Sequence, residues 1–356
     1  MPEISVIMAV RDGARWLGEA IASVVAQTHG DWELIVVDDG STDGSGAIVQ
    51  RHADPRIRFV QNDRMLGQTA SLNLGLGLAR GRFVARLDAD DRAHPTRLAR
   101  QVAVLRAEPG LALVGTQAWR IDDRGRRNGT VERPCAPASV RWYGLFDNPF
   151  IHSAVMTRRA LVDEVGGYDA AFDYAQDYDL WSRLLARGEG RNLPEKLVDY
   201  RTHAGSRTGA VVNGVGAHQR SGAFAARLSQ VIGGNVAVVF GEAPADADVE
   251  LMCGYALGLE TDAIPRFMTL FERLLRRYRT RHREATAAAD FARTVARQYD
   301  AVALRARPAS RRLALRVYAT ALRGDPHLAR WLSWPRVLAL STVGRPALEH
   351  LRAAWR

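Results

Sequence analysis

Residues 83–91 read Phe83-Val84-Ala85-Arg86-Leu87-Asp88-Ala89-Asp90-Asp91. An apolar run of strand length thus ends in three carboxylates within four positions. This much negative charge at the end of a buried strand is costly unless a cation neutralises it, and hard cations such as Mg²⁺ prefer carboxylate oxygens. The residues alone leave two interpretations open: a metal site that faces a phosphorylated ligand, or a solvated acidic turn that caps the next helix.

The chain around this stretch alternates strand-like and helix-like patterns. Apolar runs at 4–10, 34–37, 57–60 and 83–87 predict four strands, and apolar residues at helical spacing between them predict helices. This order is typical of a right-handed, mostly parallel α/β sheet with helices on both faces. Ligands bind such a sheet at the carboxyl ends of its strands, and the pair Asp38-Asp39 also follows a strand. The shared location of the two acidic clusters favours the ligand site.

The same patterns continue to residue 203. We predict, in chain order, a helix at 95–105, a strand at 111–121, an irregular stretch at 126–149, a strand at 151–156, helices at 158–165 and from 179 onward, and a strand with a loop at 193–203. Residues 204–216 contain four glycines among small residues and predict a linker. We therefore expect two domains, an α/β domain at 1–216 and an all-α region at 217–356.

Charge is distributed unevenly along the chain. Residues 266–356 carry 20 arginines against 6 carboxylates, a net +14, so residues 1–265 carry about −4 of the total of +10. Lys196 is the only lysine, which points to the codon bias of a GC-rich genome rather than to phosphate or nucleic-acid binding. The absence of a recognisable nucleic-acid-binding module predicts that nucleic acid is not a partner.

Cysteine content and the N-terminus indicate the compartment. Cys135 and Cys253 are far apart and lack the spacing of zinc ligands, which suits a reducing environment. The first residues lack a signal-peptide pattern, and no run approaches the roughly 20 apolar residues that cross a bilayer. We expect a cytoplasmic protein, with a peripheral position at the inner face of the plasma membrane as one alternative.

Several segments together resemble the inverting family 2 glycosyltransferases with the GT-A fold. Their order and spacing carry the resemblance, which covers about residues 3 to 207. The segments are Ile4 to Val10, Gln27-Thr28, Glu33 to Gly44, Asn73 to Gly81, Leu87 to Asp91, Gly166-Gly167-Tyr168-Asp169, Gln176 to Trp181 and Tyr200 to His203. The resemblance implies a Rossmann-like, mostly parallel central sheet and a nucleotide-sugar donor.

The resemblance also assigns roles on the donor side. Asp39 would hydrogen-bond the nucleotide base, and Asp38 would either shape the same pocket or cap the following turn. Ala9 and Arg11 would line the pocket as residues at a strand end. Asp88 would lie near the ribose and the metal.

The resemblance further implies a Mg²⁺ or Mn²⁺ ion that stabilises the diphosphate leaving group. Asp90 would be the main metal ligand, and His203 would contact the metal or the diphosphate, although a lone histidine is as often structural. Asp91 is expected to support the site or cap a helix rather than to bind the metal.

On the acceptor side, the resemblance implies that Asp177 is the general base that deprotonates the attacking hydroxyl. Its alternative role is that of an N-cap for the following helix. Gln176 departs from the family, which usually has Glu there, and indicates a specialised acceptor side. His152 and Trp181 are predicted contacts of the acceptor or donor sugar, with a core position as the alternative for Trp181.

The C-terminal region predicts helices joined by short turns. Apolar residues from Phe267 to Tyr278 form a stripe that arginines surround. Such a basic amphipathic helix suits an anionic membrane surface and a lipid-linked acceptor. The favoured alternative interpretation is a helical bundle with an arginine-rich solvated face, or a surface that docks a partner.

The sequence therefore predicts a metal-dependent inverting glycosyltransferase of cell-surface polysaccharide synthesis. It would move a sugar from a nucleotide-sugar donor, with UDP- or dTDP-linked donors favoured, to a glycan or glycolipid acceptor. The alternative is a non-catalytic nucleotide-sugar sensor or scaffold on the same fold. A dinucleotide-dependent dehydrogenase is disfavoured, because no Gly-x-Gly-x-x-Gly turn follows the first strand.

Overall fold

The structure, a computed structural model, describes residues 1–172, 174–203, 222–306 and 310–333. The chain forms two compact units, one of residues 1–140 with 148–227, the other of residues 141–147 with the part from 228 onward. The predicted linker at 204–216 and the predicted domain boundary after residue 216 lie outside the described residues.

Within the described residues, nine strands of the first unit form one mixed sheet. The strands are β1 Ile4–Val10, β2 Trp32–Asp38, β3 Ile57–Gln61, β4 Phe83–Arg86, β5 Arg92–Ala93, β6 Leu111–Ile121, β7 Arg127–Val131, β8 Met156–Arg158 and β9 Glu189–Arg201. Their order is β3-β2-β1-β4-β8-β6-β9-β5, and β7 pairs with β6. The strands β1 to β4 are parallel to one another, as predicted, while β8 pairs antiparallel with both β4 and β6.

Helices cover both faces of this sheet, as the sequence predicts. They are α1 Ala14–Val25, α2 Ser45–Gln50, α3 Gln68–Leu78, α4 Arg97–Ala107, α5 Pro137–Tyr143, α6 Arg159–Glu164 and α7 Gln176–Leu185. Alternate residues of β1 and β2 point to opposite faces. Val6 and Val36 therefore belong to the core beneath α1 and α4, whereas Ile7 and Ile35 belong to the core beneath α3, α6 and α7.

The glycines of α3 do not prevent a helix, because one of them lies against the sheet. A Cβ atom at Gly75 would come within 2.6 Å of Ile7 Cγ2. Glycine here lets α3 approach β1 closely, which offsets its low helix propensity. The tight packing fixes α3 against β1 and β2.

Two local predictions are wrong. The stretch 126–149 is not irregular, since it contains β7 and α5. Residues 151–156 do not form one strand, because His152–Ala154 is a short 3-10 helix and only Met156–Arg158 is β8. The 3-10 turn places two consecutive polar side chains, His152 and Ser153, at the end of β4.

The second unit is helical, as predicted. Its helices are α8 Gly222–Phe240, which begins in the first unit, α9 Asp246–Leu257, α10 Ile264–Arg281, α11 Arg283–Thr286, α12 Ala289–Ala306 and α13 Arg311–Gly324. The segment 141–147 belongs to this unit's core, where Trp142 packs on Phe271 and Tyr278 and donates its Nε1–H to Gln298 Oε1 at 2.7 Å. The apolar stripe of α10 is buried, which favours the bundle interpretation of this helix.

One helix among the described residues, α8, has the length and apolar composition to cross a membrane. The sequence analysis did not single it out. Leu228, Val231, Ile232 and Val236 form a buried face at helical spacing. Core helices of soluble proteins can have the same length and apolar composition, so α8 is weak evidence for a membrane span.

Candidate active site

The two acidic clusters lie at the same edge of the sheet. Strand β1 pairs with β2 on one side and with β4 on the other, all three parallel. Asp38 is the last residue of β2. Strand β4 ends at Arg86, and Asp88 lies two residues after it. Only one strand therefore separates the clusters, as expected from their positions after parallel strands.

The loops that follow β1 and β2 are held together by hydrogen bonds. Asp12 Oδ1 accepts from Thr42 N at 2.8 Å, and Asp12 N donates to Ser41 Oγ at 2.9 Å. Asp43 Oδ2 accepts from Ala14 N at 2.8 Å. Asp12 has a positive φ of 49°, a conformation that costs a non-glycine residue energy and is common at functional sites. These contacts build a rigid rim beside the acidic clusters.

Asp38 has the geometry of a turn cap. Its Oδ1 accepts from Ser41 N at 2.8 Å, and the side chain is completely buried. The sequence left two roles open for Asp38, and capping of the following turn is one of them. In the part of the chain that the structure describes, Oδ2 is buried and has no hydrogen-bond partner.

Asp39 holds the loop that follows β3. Its Oδ1 accepts from Asn62 Nδ2 at 3.0 Å and from Leu66 N at 2.8 Å, and its Oδ2 accepts from Gly67 N at 2.9 Å. Burial raises the pKa of Asp39, but the hydrogen bonds, led by that from Leu66, outweigh burial and leave the pKa below its usual value. Asp39 is therefore a fixed anion, and its contact with a nucleotide base stays a prediction.

The other predicted residues of the nucleotide pocket lie at the end of β1. Ala9 pairs with Val37 of β2 and is partly buried against the core beneath α3. Arg11 is exposed just beyond the strand, with its Nε 3.7 Å from Asp12 Oδ2. Both positions border the rim described above.

Asp88 is held by residues that the sequence analysis did not single out. Arg86 Nη2 donates to Asp88 Oδ1, and Ser153 Oγ donates to Asp88 Oδ2 at 2.7 Å. Arg86 is buried in β4 and also donates to the carbonyl of Ile7. His152 Nδ1 lies 4.0 Å from Asp88 Oδ2. A buried guanidinium thus neutralises the first carboxylate of the cluster.

Asp90 and His203 form a pair at the surface of the site. His203 Nε2 lies 3.0 Å from Asp90 Oδ2, and the imidazole packs against the ring of Trp16 with centroids 4.2 Å apart. Burial, followed by the negative charge of Asp88, raises the pKa of Asp90 above its usual value despite the contact with His203. The raised pKa indicates that this carboxylate lacks sufficient positive charge nearby.

Asp91 is the most buried carboxylate of the cluster. It is 1% exposed, and its Oδ1 accepts from Arg201 N at 2.7 Å, which joins the cluster to the end of β9. Burial and then the charges of Asp90 and Asp88 raise its pKa well above the usual value. That Asp91 supports the site rather than binding a metal stays a prediction.

The pair of Asp90 and His203 fits a divalent metal. Neighbouring ligands of an octahedral ion, each at about 2.1 Å, lie about 3 Å apart, which matches the distance between Asp90 Oδ2 and His203 Nε2. Within the described residues, no three His, Cys, Asp or Glu side chains converge as a complete site. Mg²⁺ commonly uses one or two protein carboxylates together with substrate phosphates and water. Asp88 directs its oxygens to Arg86 and Ser153 instead, so its role as a ligand stays a prediction.

Asp177 lies in the first turn of α7. Its Oδ2 accepts from Asn148 Nδ2 at 2.8 Å, and its Oδ1 accepts from Tyr178 N at 2.8 Å. The N-cap position belongs to Ala175, which has a positive φ of 55°, so the alternative interpretation of Asp177 as the N-cap residue is wrong.

The remaining acceptor-side candidates differ in exposure. Gln176 is largely buried, and its Nε2 donates to Gln68 Oε1 at 3.2 Å. Trp181 is 2% exposed within the core beneath α3, which is the alternative that the sequence left open for it. The imidazole of His152 is 13% exposed, so part of the ring remains accessible to a ligand.

Tyr168 connects the donor-side and acceptor-side residues. Its hydroxyl lies 2.8 Å from His152 Nε2, and the nearby charges of Asp177 and Asp88 both act on it. Asn73 fixes the backbone of Tyr168 by accepting from its N–H at 2.9 Å and donating to its carbonyl at 2.7 Å. The site therefore has one buried phenol within the electrostatic reach of both carboxylates.

Comparison with known proteins identifies relatives of this chain. The sequence profile described as glycosyl transferase family 2 matches residues 5–166. The putative glycosyltransferase EpsE of Bacillus subtilis is 35% identical over 206 residues, which cover 56% of this chain and 73% of EpsE. The succinoglycan biosynthesis protein ExoO of Rhizobium meliloti is 31% identical over 213 residues, which cover 57% of this chain and 61% of ExoO.

Solved structures share the fold at low sequence identity. A crystal structure of residues 1–349 of S. aureus TarS in complex with UDP-GlcNAc superposes with a TM-score of 0.55 at 14% identity. The superposition covers 93% of this chain and 89% of that one. The similarity agrees with the GT-A-like architecture.

Proposed function

Because this chain belongs to glycosyl transferase family 2, we propose that it is a metal-dependent, inverting enzyme that transfers a sugar from a nucleotide-sugar donor to a hydroxyl group. The acceptor is a glycan or glycolipid of cell-surface polysaccharide synthesis. The similarity to ExoO, whose name refers to succinoglycan synthesis, supports this class of acceptor. A cytoplasmic site at the inner face of the plasma membrane would suit a lipid-linked acceptor.

The position of Asp177 is the observation that carries the proposal. Inversion needs one base opposite the leaving group, and Asp177 presents a carboxylate that Asn148 orients in the first turn of α7. Its charge and that of Asp88 act on the same hydroxyl of Tyr168, which supports a location in the same site as the acidic cluster. Asp177 would accept the proton of the acceptor hydroxyl as that oxygen attacks the sugar.

The donor would bind at the other side of the site. Asp39 supports a pyrimidine base with an N3–H donor, such as uracil or thymine, and Ala9, Arg11 and Asp38 would complete this pocket. Asp90 and His203 would hold Mg²⁺ or Mn²⁺. When bound, the ion would supply positive charge to the diphosphate leaving group.

Asp177→Asn tests the proposal. The variant should bind UDP in the presence of Mn²⁺ as wild type does, while sugar transfer falls about 10²–10⁴-fold, the usual contribution of a general base. Asp163→Asn is the matched control, because Asp163 is exposed on α6 and forms a surface ion pair with Arg159 on the same helix. Transfer near the wild-type rate in Asp177→Asn would remove Asp177 as the base.

A non-catalytic nucleotide-sugar sensor is the second candidate. Gln176 favours it, because relatives of this pattern usually carry Glu there and this amide instead bonds to Gln68. The sensor predicts metal-dependent nucleotide binding without hydrolysis or transfer. A thermal-shift screen with UDP, GDP, dTDP and NAD, with and without Mn²⁺, followed by a turnover assay, separates the two candidates and also excludes or identifies a dehydrogenase.

A further inference from the structure

Trp16, in the first turn of α1, packs against the imidazole of His203. The two ring centroids lie 4.2 Å apart, with 43° between the ring planes. The imidazole is 15% exposed, and its Nε2 lies 3.0 Å from Asp90 Oδ2. Contact with the indole restricts the directions in which this nitrogen can point.

The indole is itself held by the turn between β6 and β7. Its Nε1–H donates to the carbonyl of Asp123 at 3.1 Å. The guanidinium of Arg15 lies 4.7 Å from the indole centroid and that of Arg201 lies 5.4 Å from it, both within the range of a cation–π interaction. Because the indole is fixed on several sides, it gives His203 a rigid support.

Arg201 joins this support to the acidic cluster. Its buried guanidinium donates from Nε to the carbonyl of Asp90 at 2.8 Å and from Nη2 to Glu19 Oε2 at 2.8 Å. Its Nη1 also donates to the carbonyl of Asp123 at 3.4 Å. The carbonyl that accepts from Trp16 and the backbone of Asp90 are therefore bonded to the same buried side chain.

We infer that Trp16 is a positioning residue for the divalent metal, because it holds the imidazole of His203 at the spacing of a second ligand beside Asp90. The inference rests on the proposed function, which supplies the metal and the nucleotide, and Trp16 acts on the metal only through His203. A ligand side chain that is already ordered loses less conformational freedom when the ion binds. For one side chain this difference corresponds to about three- to tenfold in affinity.

A double-mutant cycle tests this role in full-length protein. Trp16→Leu removes the aromatic contact and should raise the Mn²⁺ concentration needed for half-maximal UDP binding about three- to tenfold, measured by calorimetry. GDP replaces UDP if wild type prefers guanine. In the His203→Ala background, Trp16→Leu should change this concentration less than about twofold, since no imidazole is left to position.

Two further variants control the cycle. Trp16→Phe keeps an aromatic face but loses the hydrogen bond to Asp123, so its effect should be smaller, equally dependent on His203, and decisive if Trp16→Leu is unfolded. Trp119→Leu is the matched control, because Trp119 is also a partly exposed tryptophan of the α/β unit with two cations near its ring, Arg127 at 4.6 Å and Lys196 at 5.0 Å. It should leave the Mn²⁺ requirement unchanged.

The outcomes separate this inference from the proposed function. If wild type binds UDP only with Mn²⁺ and the Trp16 variants have the wild-type Mn²⁺ requirement, the positioning role fails and the proposed function stands. Equal losses from Trp16→Leu with and without His203 also overturn the positioning role, since the tryptophan would then act on the fold alone. If wild type binds no nucleotide, or binds it without a divalent metal, the metal-dependent function and the positioning role fail together.

Discussion

Three carboxylates within four residues have three different environments. Asp88 bonds to a buried guanidinium and a serine hydroxyl, Asp90 faces an imidazole, and Asp91 is buried on the backbone of β9. Their chemistry is the same, so their partners decide what each can do. Only Asp90 combines partial exposure, a raised pKa and a second ligand atom at the spacing of a metal site.

Side chains at strand ends were predictable, whereas their partners were not. An apolar run that stops at a carboxylate locates Asp38, Asp39 and Asp88 from local sequence alone. Asn148 bonds to Asp177 from 29 residues away, and Asn73 fixes Tyr168 from 95 residues away. No local pattern contains such pairings. The one signal for Tyr168 was its place in the segment that resembles the family.

At the residue scale, we predict that Asp90→Asn raises the Mn²⁺ concentration needed for half-maximal UDP binding at least tenfold. The substitution removes the hard anionic ligand and keeps the size of the side chain. Removal of the metal from wild type with EDTA should weaken UDP binding in the same way. Both effects are measured by calorimetry or thermal shift.

Asp91→Asn provides the comparison for this prediction. Its amide oxygen can still accept from Arg201 N, so the shift in Mn²⁺ requirement should be smaller than that of Asp90→Asn. A larger shift in Asp91→Asn than in Asp90→Asn would reverse the assignment of the two carboxylates.

Local sequence patterns predicted the secondary-structure elements that are buried. All seven residues of β2 are buried, and its centre, residues 34–37, reads as a continuous apolar run. Strand β7 contains Arg127, Asn128, Gly129 and Thr130, is mostly exposed, and shows no apolar alternation, so it escaped prediction. The insertion of β8 between β4 and β6 depends on long-range pairing, which local patterns do not encode.

A buried carboxylate, that of Glu33, connects the elements at the other end of the sheet. Glu33 of β2 accepts from Ser5 Oγ of β1 at 2.7 Å and from Arg80 N at 2.8 Å, and its Oε2 bonds to the guanidinium of Arg80 at 2.7 Å. Burial raises the pKa of Glu33, but the hydrogen bonds, led by the Arg80 side chain, leave it below its usual value of 4.5. The turn between α3 and β4 is thereby fixed to two strands.

At the element scale, we predict that Glu33→Gln lowers the free energy of unfolding by about 1–3 kcal/mol at pH 7, the range for hydrogen bonds to a charged group. Because the folded-state pKa lies below the unfolded value, the stabilisation is present above about pH 4.5 and is lost as pH falls through the folded pKa. The difference between wild type and Glu33→Gln should therefore shrink toward pH 3. Urea unfolding at both pH values measures it.

The matched control for this prediction is Glu164→Gln. Glu164 is about half exposed in its ion pair with Arg187, and such surface pairs contribute little. Its effect should stay within about 1 kcal/mol at both pH values. A Glu33→Gln effect that does not depend on pH would show that shape rather than charge is responsible.

At the scale of the whole molecule, basic charge is concentrated in the C-terminal third of the sequence. The apolar stripe of α10 is used in the helical core, so a membrane surface cannot be bound through that face while the unit is folded. The exposed arginines remain available. Helix α13 contains no acidic residue and exposes Arg312, Arg316 and Arg323 at helical spacing along one face.

We predict that full-length protein binds vesicles that contain phosphatidylglycerol and releases them at high salt, since exposed charges are screened. Each arginine near an anionic surface contributes about 1 kcal/mol, so replacing Arg312, Arg316 and Arg323 together with Gln should weaken binding about 100-fold. The control replaces Arg51, Arg82 and Arg120, which are exposed in the α/β unit, and loses the same charge. Equal losses in the two triple variants would show that net charge alone drives binding. Absence of wild-type binding at low salt would leave α13 as the solvated face of a helical bundle.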